Sequence, residues 1–346
     1  MNGVAISVAF RYIGVRSQVV EIIVPLLLVG EPMRLLNSIL KGIVIFSSVG
    51  VAQAAVSGAD FYHALLMQDV PKIKELIAKG ADVNHKENGR PMLVWAAQSA
   101  NVELVQALLD GKADVNAPDE GIGHSPLMRA VETQNVDIVK VLLKAKADPN
   151  AKAANGESVI GMAVRSGKAD LVEAVIQGGA DVKVLTADGE SPVLLAAMDN
   201  LETSAPIIRI LAKAGADLNA ANIIHTPLTY AAEQGNIETT TALLESGANP
   251  NLKSPSGRAP LEYADKKEVI DALLKAKADP NQETESGTSP LIRMIEIGDI
   301  AVVESLIKAG ADVNKASPSG DTPVRFANNY GKPEIVELLK KHGATE

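Results

Sequence analysis

The feature that most constrains this chain is a period. From about residue 58 to the end, an alanine set in a Gly-Ala-Asp-Val-Asn-like segment returns as Ala81, Ala113, Ala147, Ala180, Ala216, Ala248, Ala278, Ala311 and Ala344, at spacings of 32, 34, 33, 36, 32, 30, 33 and 33 residues. A second anchor, Ser/Thr-Pro-Leu, stands at Ser125-Pro126-Leu127, Thr226-Pro227-Leu228 and Ser289-Pro290-Leu291. Variants of it lie at Ser191-Pro192-Val193, Ala259-Pro260-Leu261 and Thr322-Pro323-Val324. The stretch Leu142–Asn150, LLKAKADPN, recurs unchanged as Leu273–Asn281. Chance does not produce that. A period of this size means one supersecondary unit stacked many times, each copy depending on its neighbours to bury its apolar side.

Residues 225–251 show the physics of one unit. The Thr226 hydroxyl suits a helix N-cap, and Pro227 at the first helical position gives up an N–H that no helix bond needs. Leu228, Ala231 and Ala232 follow at helical spacing, the small alanines letting neighbouring inner helices approach closely. Gly235-Asn236 breaks this helix. Ile237, Thr240, Leu243 and Leu244 predict the apolar side of a second, antiparallel helix; Gly247 caps it in the left-handed conformation, and Asn249-Pro250-Asn251 turns the chain outward.

Taken together, Thr-Pro-Leu, the paired alanines, Gly-Asn between helices, Leu-Leu and a closing segment such as Gly310-Ala311-Asp312-Val313-Asn314 resemble the ankyrin repeat. The likeness covers about 290 of the 346 residues. It implies an all-α solenoid of about nine helix–turn–helix units with β-hairpin tips, the helices forming one arm of an L and the hairpin fingers the other. In such arrays partners meet the finger tips and the exposed ends of the inner helices. Carried onto matching positions, the tips are Lys86, Glu87, Asn88, Asp119, Glu120, Lys152, Asn155, Asp188, Glu190, Lys253, Arg258, Glu283, Glu285 and Asp321. The inner-helix ends are Gln98, Ser99, Glu132, Thr133, Arg165, Ser166, Met198, Asp199, Glu233, Gln234, Glu296 and Ile297. Trp95 and Tyr230, beside the inner-helix alanines, are either core residues or contacts on the concave face.

Departures from the pattern carry their own expectations. Lys112, Lys146 and Lys277 occupy the usual glycine cap, where left-handed geometry costs a side chain about 1–2 kcal/mol, so those repeats are locally weaker or capped differently. Ser158-Val159-Ile160 lacks the proline. Pro260 lies only 18 residues before Ala278, against 21 from Pro227 to Ala248, so that unit loses its inter-helix turn or part of a helix. The unit at Pro192 runs 24 residues to Ala216, with its surplus near Asn200 to Ala205. Such irregular units suit partner contact or reflect neutral drift. Both ends read as caps: Asp60 to Ile77 lacks the Thr-Pro-Leu opening, and Lys340, Lys341 and His342 place cations at a helix C-terminus.

Function classes narrow mostly by exclusion. The absence of cysteine removes disulfide scaffolds, thiolate metal sites and thiol nucleophiles. His63, His85, His124, His225 and His342 fall in different units without paired helical spacing and read as turn or surface residues. Gly121-Ile122-Gly123 lacks the third glycine and the βαβ setting of a phosphate loop and reads as an elongated hairpin tip. Asp119-Glu120 reads as solvated loop charge, not a catalytic pair. No cofactor, metal or enzymatic activity is expected. Residues 1–54 carry four basic and two acidic side chains, so the net charge of −9 becomes −11 over the remainder. That acidity repels phosphate backbones and makes nucleic acid an unexpected partner.

Residues 33–54 have the layout of a secretory signal peptide: Arg34 and Lys41, then apolar Gly42 to Val51, then Ala52-Gln53-Ala54 with cleavage before Ala55. The apolar run is shorter than the roughly 20 residues of a membrane span, so no stable insertion is expected after cleavage. Residues 1–32 read as an over-long gene start, with Met33 the true initiator and 55–346 the mature repeat domain. The expected function is a non-catalytic protein-binding adaptor in the bacterial periplasm or secreted, and the resemblance extends to exported bacterial ankyrin-repeat proteins as a class. The alternatives are a secreted effector or antidote acting on a host or rival-cell protein, an enzyme's regulatory arm, and a structural spacer.

Overall fold

A computed structural model describes residues 57–199, 202–284 and 287–346. The expected leader and gene start (1–54), the cleavage point at Ala54 and Ala55, and the finger residue Glu285 lie outside the described residues. Ser57–Glu346 forms one compact unit. Its described residues form nine helix pairs: α1 (Gly58–Leu66) and α2 (Val70–Ala78), α3 (Met92–Gln98) and α4 (Val102–Asp110), α5 (Pro126–Glu132) and α6 (Val136–Lys144), α7 (Val159–Arg165) and α8 (Ala169–Gln177), and α9 (Pro192–Met198) and α10 (Ser204–Lys213). The series continues with α11 (Pro227–Glu233) and α12 (Ile237–Glu245), α13 (Pro260–Tyr263) and α14 (Lys267–Lys275), α15 (Pro290–Ile297) and α16 (Ile300–Lys308), and α17 (Pro323–Asn329) and α18 (Pro333–Lys341).

Each pair arises from local chemistry repeated in turn. Ser125, Ser158, Ser191, Thr226, Ser289 and Thr322 cap the inner helices through their hydroxyls. Five outer helices have caps of their own: Asp69, Asn101, Asn135, Asn236 and Asp299 each accept a backbone N–H of the first turn. Asn236, expected only to break α11, therefore also starts α12. Odd-numbered helices stack in one row and even-numbered helices in another, with slighter contact between the short α13 and α15. Between the rows lies a continuous core in which Leu104, Leu108, Leu127, Leu142, Leu171 and Leu273 recur fully buried. At about 25 cal/mol per Å² of apolar surface, burial between neighbours supplies the stabilisation that a seven- to nine-residue helix lacks alone.

The departures resolve physically. Lys112, Lys146 and Lys277 adopt φ of 70°, 72° and 71°, the same left-handed cap that Gly80, Gly179 and Gly247 make. A Cβ at Gly80 or Gly247 would meet nothing within 4 Å, so lysine at the equivalent place carries only the backbone penalty. The short unit has lost most of its inner helix, leaving the four residues of α13. In the long unit the surplus lies between Met198 and Ser204. Its outer helix α10 starts after Thr203, whose side chain makes no cap bond.

The fingers are simpler than full hairpins. One pairs as two strands, β1 (Lys86–Glu87) with β2 (Arg90–Pro91), and Lys152 bridges Ser158. Others close through two backbone bonds, such as Thr186 N–H to Glu190 O with Gly189 N–H to Thr186 O, and Ser317 N–H to Asp321 O with Gly320 N–H to Ser317 O. Pro118, Pro255 and Pro318 have no N–H for a longer ladder. Gly121 and Gly123 both take positive φ, as a tight finger tip requires.

Candidate functional site

Four fingers are held by the fourth residue of the following inner helix. In α3 this is Trp95, with the Arg90 guanidinium 4.4 Å above its ring and Tyr62 packed 5.4 Å from it. In α5 it is Arg129, which reaches back to Asp119. In α11 it is Tyr230, edge-on to His225 at 5.5 Å. In α13 it is Tyr263, whose hydroxyl meets Ser254 and Ser256 and whose ring lies 4.2 Å below Arg258. His225 also packs 5.3 Å from the Tyr263 ring, joining two units. Trp95 and Tyr230 are thus half-buried and brace their own fingers. The other braces, Arg129 and Tyr263, escape a sequence reading because their common register becomes visible only when helix starts are aligned.

Asp119 requires a correction. It is 5 % exposed, not a solvated tip residue. Its carboxylate accepts from the Arg129 guanidinium at 2.5 Å and from the His124 N–H at 2.9 Å. Burial by itself raises the pKa of such a group, but the Arg129 and His124 bonds outweigh it and hold the carboxyl below the usual range. Arg129 also donates to Glu132 at 2.7 Å. His124 stands at a turn, as expected, yet is itself buried.

Of the remaining finger residues, Lys86, Asn88, Glu120, Lys152, Asn155, Asp188 and Lys253 are exposed, and Glu87, Glu190, Arg258, Glu283 and Asp321 are half-buried. Among inner-helix ends, Glu132, Thr133, Arg165, Glu233, Gln234, Glu296 and Ile297 are exposed, whereas Gln98, Ser99, Ser166, Met198 and Asp199 are half-buried. Cross-bracing joins finger to helix end within and between units: Arg90 donates to Gln98, and Arg165 lies between Glu157 (3.6 Å) and Glu190 (3.4 Å). The His225 ring stands 3.3 Å from Glu233. Burial pushes the Asp199 carboxyl up, with Glu190 adding to the rise and Arg165 opposing it.

The truncated α13 leaves an opening in the row of helix ends that cations cover. Lys266 donates to the Gly235 carbonyl at the end of α11, and Arg293 donates to Ala264 O and pairs with Asp265. A Cβ on Gly235 would lie 2.7 Å from the flexible Lys266 chain, which would have to shift, and the position has a φ of 63° that glycine adopts without strain. Glu262 is the one acid drawn inside at this point, 1 % exposed, with Oε1 accepting the Ala259 N–H and Oε2 without a partner. Burial raises its pKa against the pull of Lys253, Arg258 and Arg293.

Hollows of about 340, 310 and 280 Å³ lie beside α1 and α2, between α10 and α12, and between α12 and α14. None of these three is on the finger side. Among the described residues no three or more His, Asp or Glu side chains gather in a way that could hold a metal. Nor is any helix among them long and apolar enough to cross a membrane.

Nine stacked helix pairs bearing fingers along one edge define a repeat scaffold that offers an extended surface. The model of ankyrin repeats in sets of three copies matches residues 61–153, 160–254 and 259–345, and the chain belongs to the ankyrin-repeat family. Among solved structures it is similar to the human ASB11 ankyrin repeat domain, at 26 % identity and a TM-score of 0.54, over 64 % of this chain and 98 % of that one. No curated protein matches the sequence. Ankyrin repeats mark the chain as a protein–protein interaction scaffold, of a family whose domains are typically non-catalytic.

Proposed function

We propose that the chain is a periplasmic or secreted adaptor that holds a protein partner across its finger tips and inner-helix ends without catalysing a reaction. The observation that carries this reading is the run of exposed polar and charged side chains from Lys86 to Glu296, held up by braced fingers and converging on no reactive cluster. Rigid presentation lowers the ordering cost of binding. The leader-like residues 33–54 support export. A secreted effector or antidote would use the same surface on a foreign protein.

Charge reversal at three exposed sites tests the surface. Lys152→Glu, Asp188→Lys and Glu233→Lys together leave the fold intact and weaken capture of a crosslinked partner at least about tenfold, because complementary charges set register and encounter. Equal capture by the wild-type and the triple variant would sink the assignment. Intact mass of the chain recovered outside the cytoplasm checks export, with Ala55 expected as the first residue.

A further inference from the structure

We propose that the array consists of two cooperative blocks, residues 57–183 and 191–346, meeting at a seam that opens before either block unfolds. The observation is a ladder of asparagine side chains. At the exit of each unit an Asn Oδ1 accepts a backbone N–H from the matching position of the next unit. Asn84 accepts from Asp114 (2.8 Å), Asn116 from Asp148 (2.8 Å) and Asn150 from Asp181 (2.7 Å). Beyond the middle of the array, Asn219 accepts from Asn249 (2.9 Å), Asn251 from Asp279 (2.7 Å), Asn281 from Asp312 (2.7 Å) and Asn314 from Thr345 (2.7 Å). Several rungs are doubled: the Nδ2 groups of Asn150, Asn251, Asn281 and Asn314 donate to a carbonyl at the next unit's helix cap.

One rung is missing. Lys183 stands where the other units carry asparagine, and a lysine has no acceptor to offer the Asp217 N–H. The turns on both sides are intact, since Asp181 still accepts from Lys183 N–H and Asp217 from Asn219 N–H. Only the tie between units is gone. The fingers do not replace it. Backbone bonds join Glu120 to Gly89 and Ala154 to Ile122 across earlier units. Among the described residues, the polar link at the seam is Arg165, an exposed side chain, 3.4 Å from Glu190 in the finger between the blocks and with Asp199 of the second block in its field.

The unit just beyond the seam is also the one with the long inter-helix segment, where Thr203 at the start of α10 makes no side-chain cap bond. Apolar packing of α7 on α9 and of α8 on α10 keeps the seam closed at rest. In a stack held by nearest-neighbour terms, the junction that lacks its polar rung is where cooperativity divides. A partner spanning both blocks would tighten it.

Trp95, the single tryptophan, lies in the first block, while far-UV circular dichroism reports both. In urea the full chain should show two non-coincident transitions by these probes, and hydrogen exchange should show a step in protection between residues 183 and 191. Lys183→Asn restores the rung, so the transitions should merge and the Asp217 amide should exchange about tenfold more slowly, the factor expected of one net hydrogen bond. Asn150→Lys in the Lys183→Asn background should place the step one unit earlier. A single coincident transition in the wild-type chain, or separate transitions unchanged in Lys183→Asn, would overturn the proposal.

Discussion

The Asp119–Arg129 pair shows how much of one finger's position rests on two atoms. Removing the carboxylate leaves a guanidinium 5 % exposed with only Glu132 as counter-charge. Asp119→Ala is expected to cost about 3 kcal/mol in urea unfolding at neutral pH, because a buried charge without its partner is poorly solvated. The sign with pH is also defined. A carboxyl whose folded pKa is depressed adds stability above its unfolded pKa and loses it as pH falls through the folded value. The wild-type advantage over Asp119→Ala should therefore shrink in acid. Glu262 behaves oppositely. Its folded pKa is raised by burial, so the folded chain binds the proton more readily and stability falls as pH rises from the ordinary carboxylate range through the raised value. Glu262→Gln keeps an acceptor for the Ala259 N–H and removes the buried charge. A gain of about 1 kcal/mol at neutral pH, fading below the ordinary carboxylate range, is the expected outcome in thermal melts at a series of pH values.

Among the elements, α12 is built least well for its place. The paired inward positions that hold Leu104 and Val105, Ile138 and Val139, or Val269 and Ile270 in other outer helices hold Thr239 and Thr240 here. Both hydroxyls are buried without a partner. The sequence pattern assigned Thr240 correctly to the packed side but also counted Ile237 and Leu244, which are only half-buried, and missed Thr239 and Ala242. Thr240→Val preserves shape and removes an unsatisfied hydroxyl, so it should stabilise the chain by about 1 kcal/mol and raise protection of α12 amides in hydrogen exchange. No gain would mean that the hydroxyl finds a partner in solution. The short α13 makes the opposite point: with its helix reduced to four residues, Arg293 takes up the Ala264 carbonyl at its end, and Lys266 ties the unit to Gly235 O of the preceding one.

For the whole molecule, stability is a sum over stacked units and their interfaces. The last pair, α17 and α18, covers the apolar side of α15 and α16, with Ile335 and Leu339 fully inside. Deleting residues 322–346 should lower both the urea midpoint and the m-value, the latter roughly in proportion to the surface no longer buried. A compact globular core would respond differently, by losing folding altogether. The acidic character of the repeat region acts at this scale too, favouring partners with complementary positive surface and weakening such binding as salt rises.

What the sequence determined alone is what chemistry within a few residues determines: the unit and its period, the Ser/Thr-Pro helix starts, and the glycine left-handed caps, whereas the left-handed geometry of Lys112, Lys146 and Lys277 was one of two outcomes it left open. Each is a contest between neighbours along the chain, so it is legible in a line of text. The tertiary structure decided which residues meet across units. Asp119 turned inward because Arg129 waits one helical turn inside its own unit, and the asparagine ladder exists because stacking sets equivalent turns side by side. The repeated Asp-x-Asn spelling was visible, and so was its exception at Lys183. Its meaning was not, since a bond between residues about 30 apart depends on a superposition that only the packed core imposes.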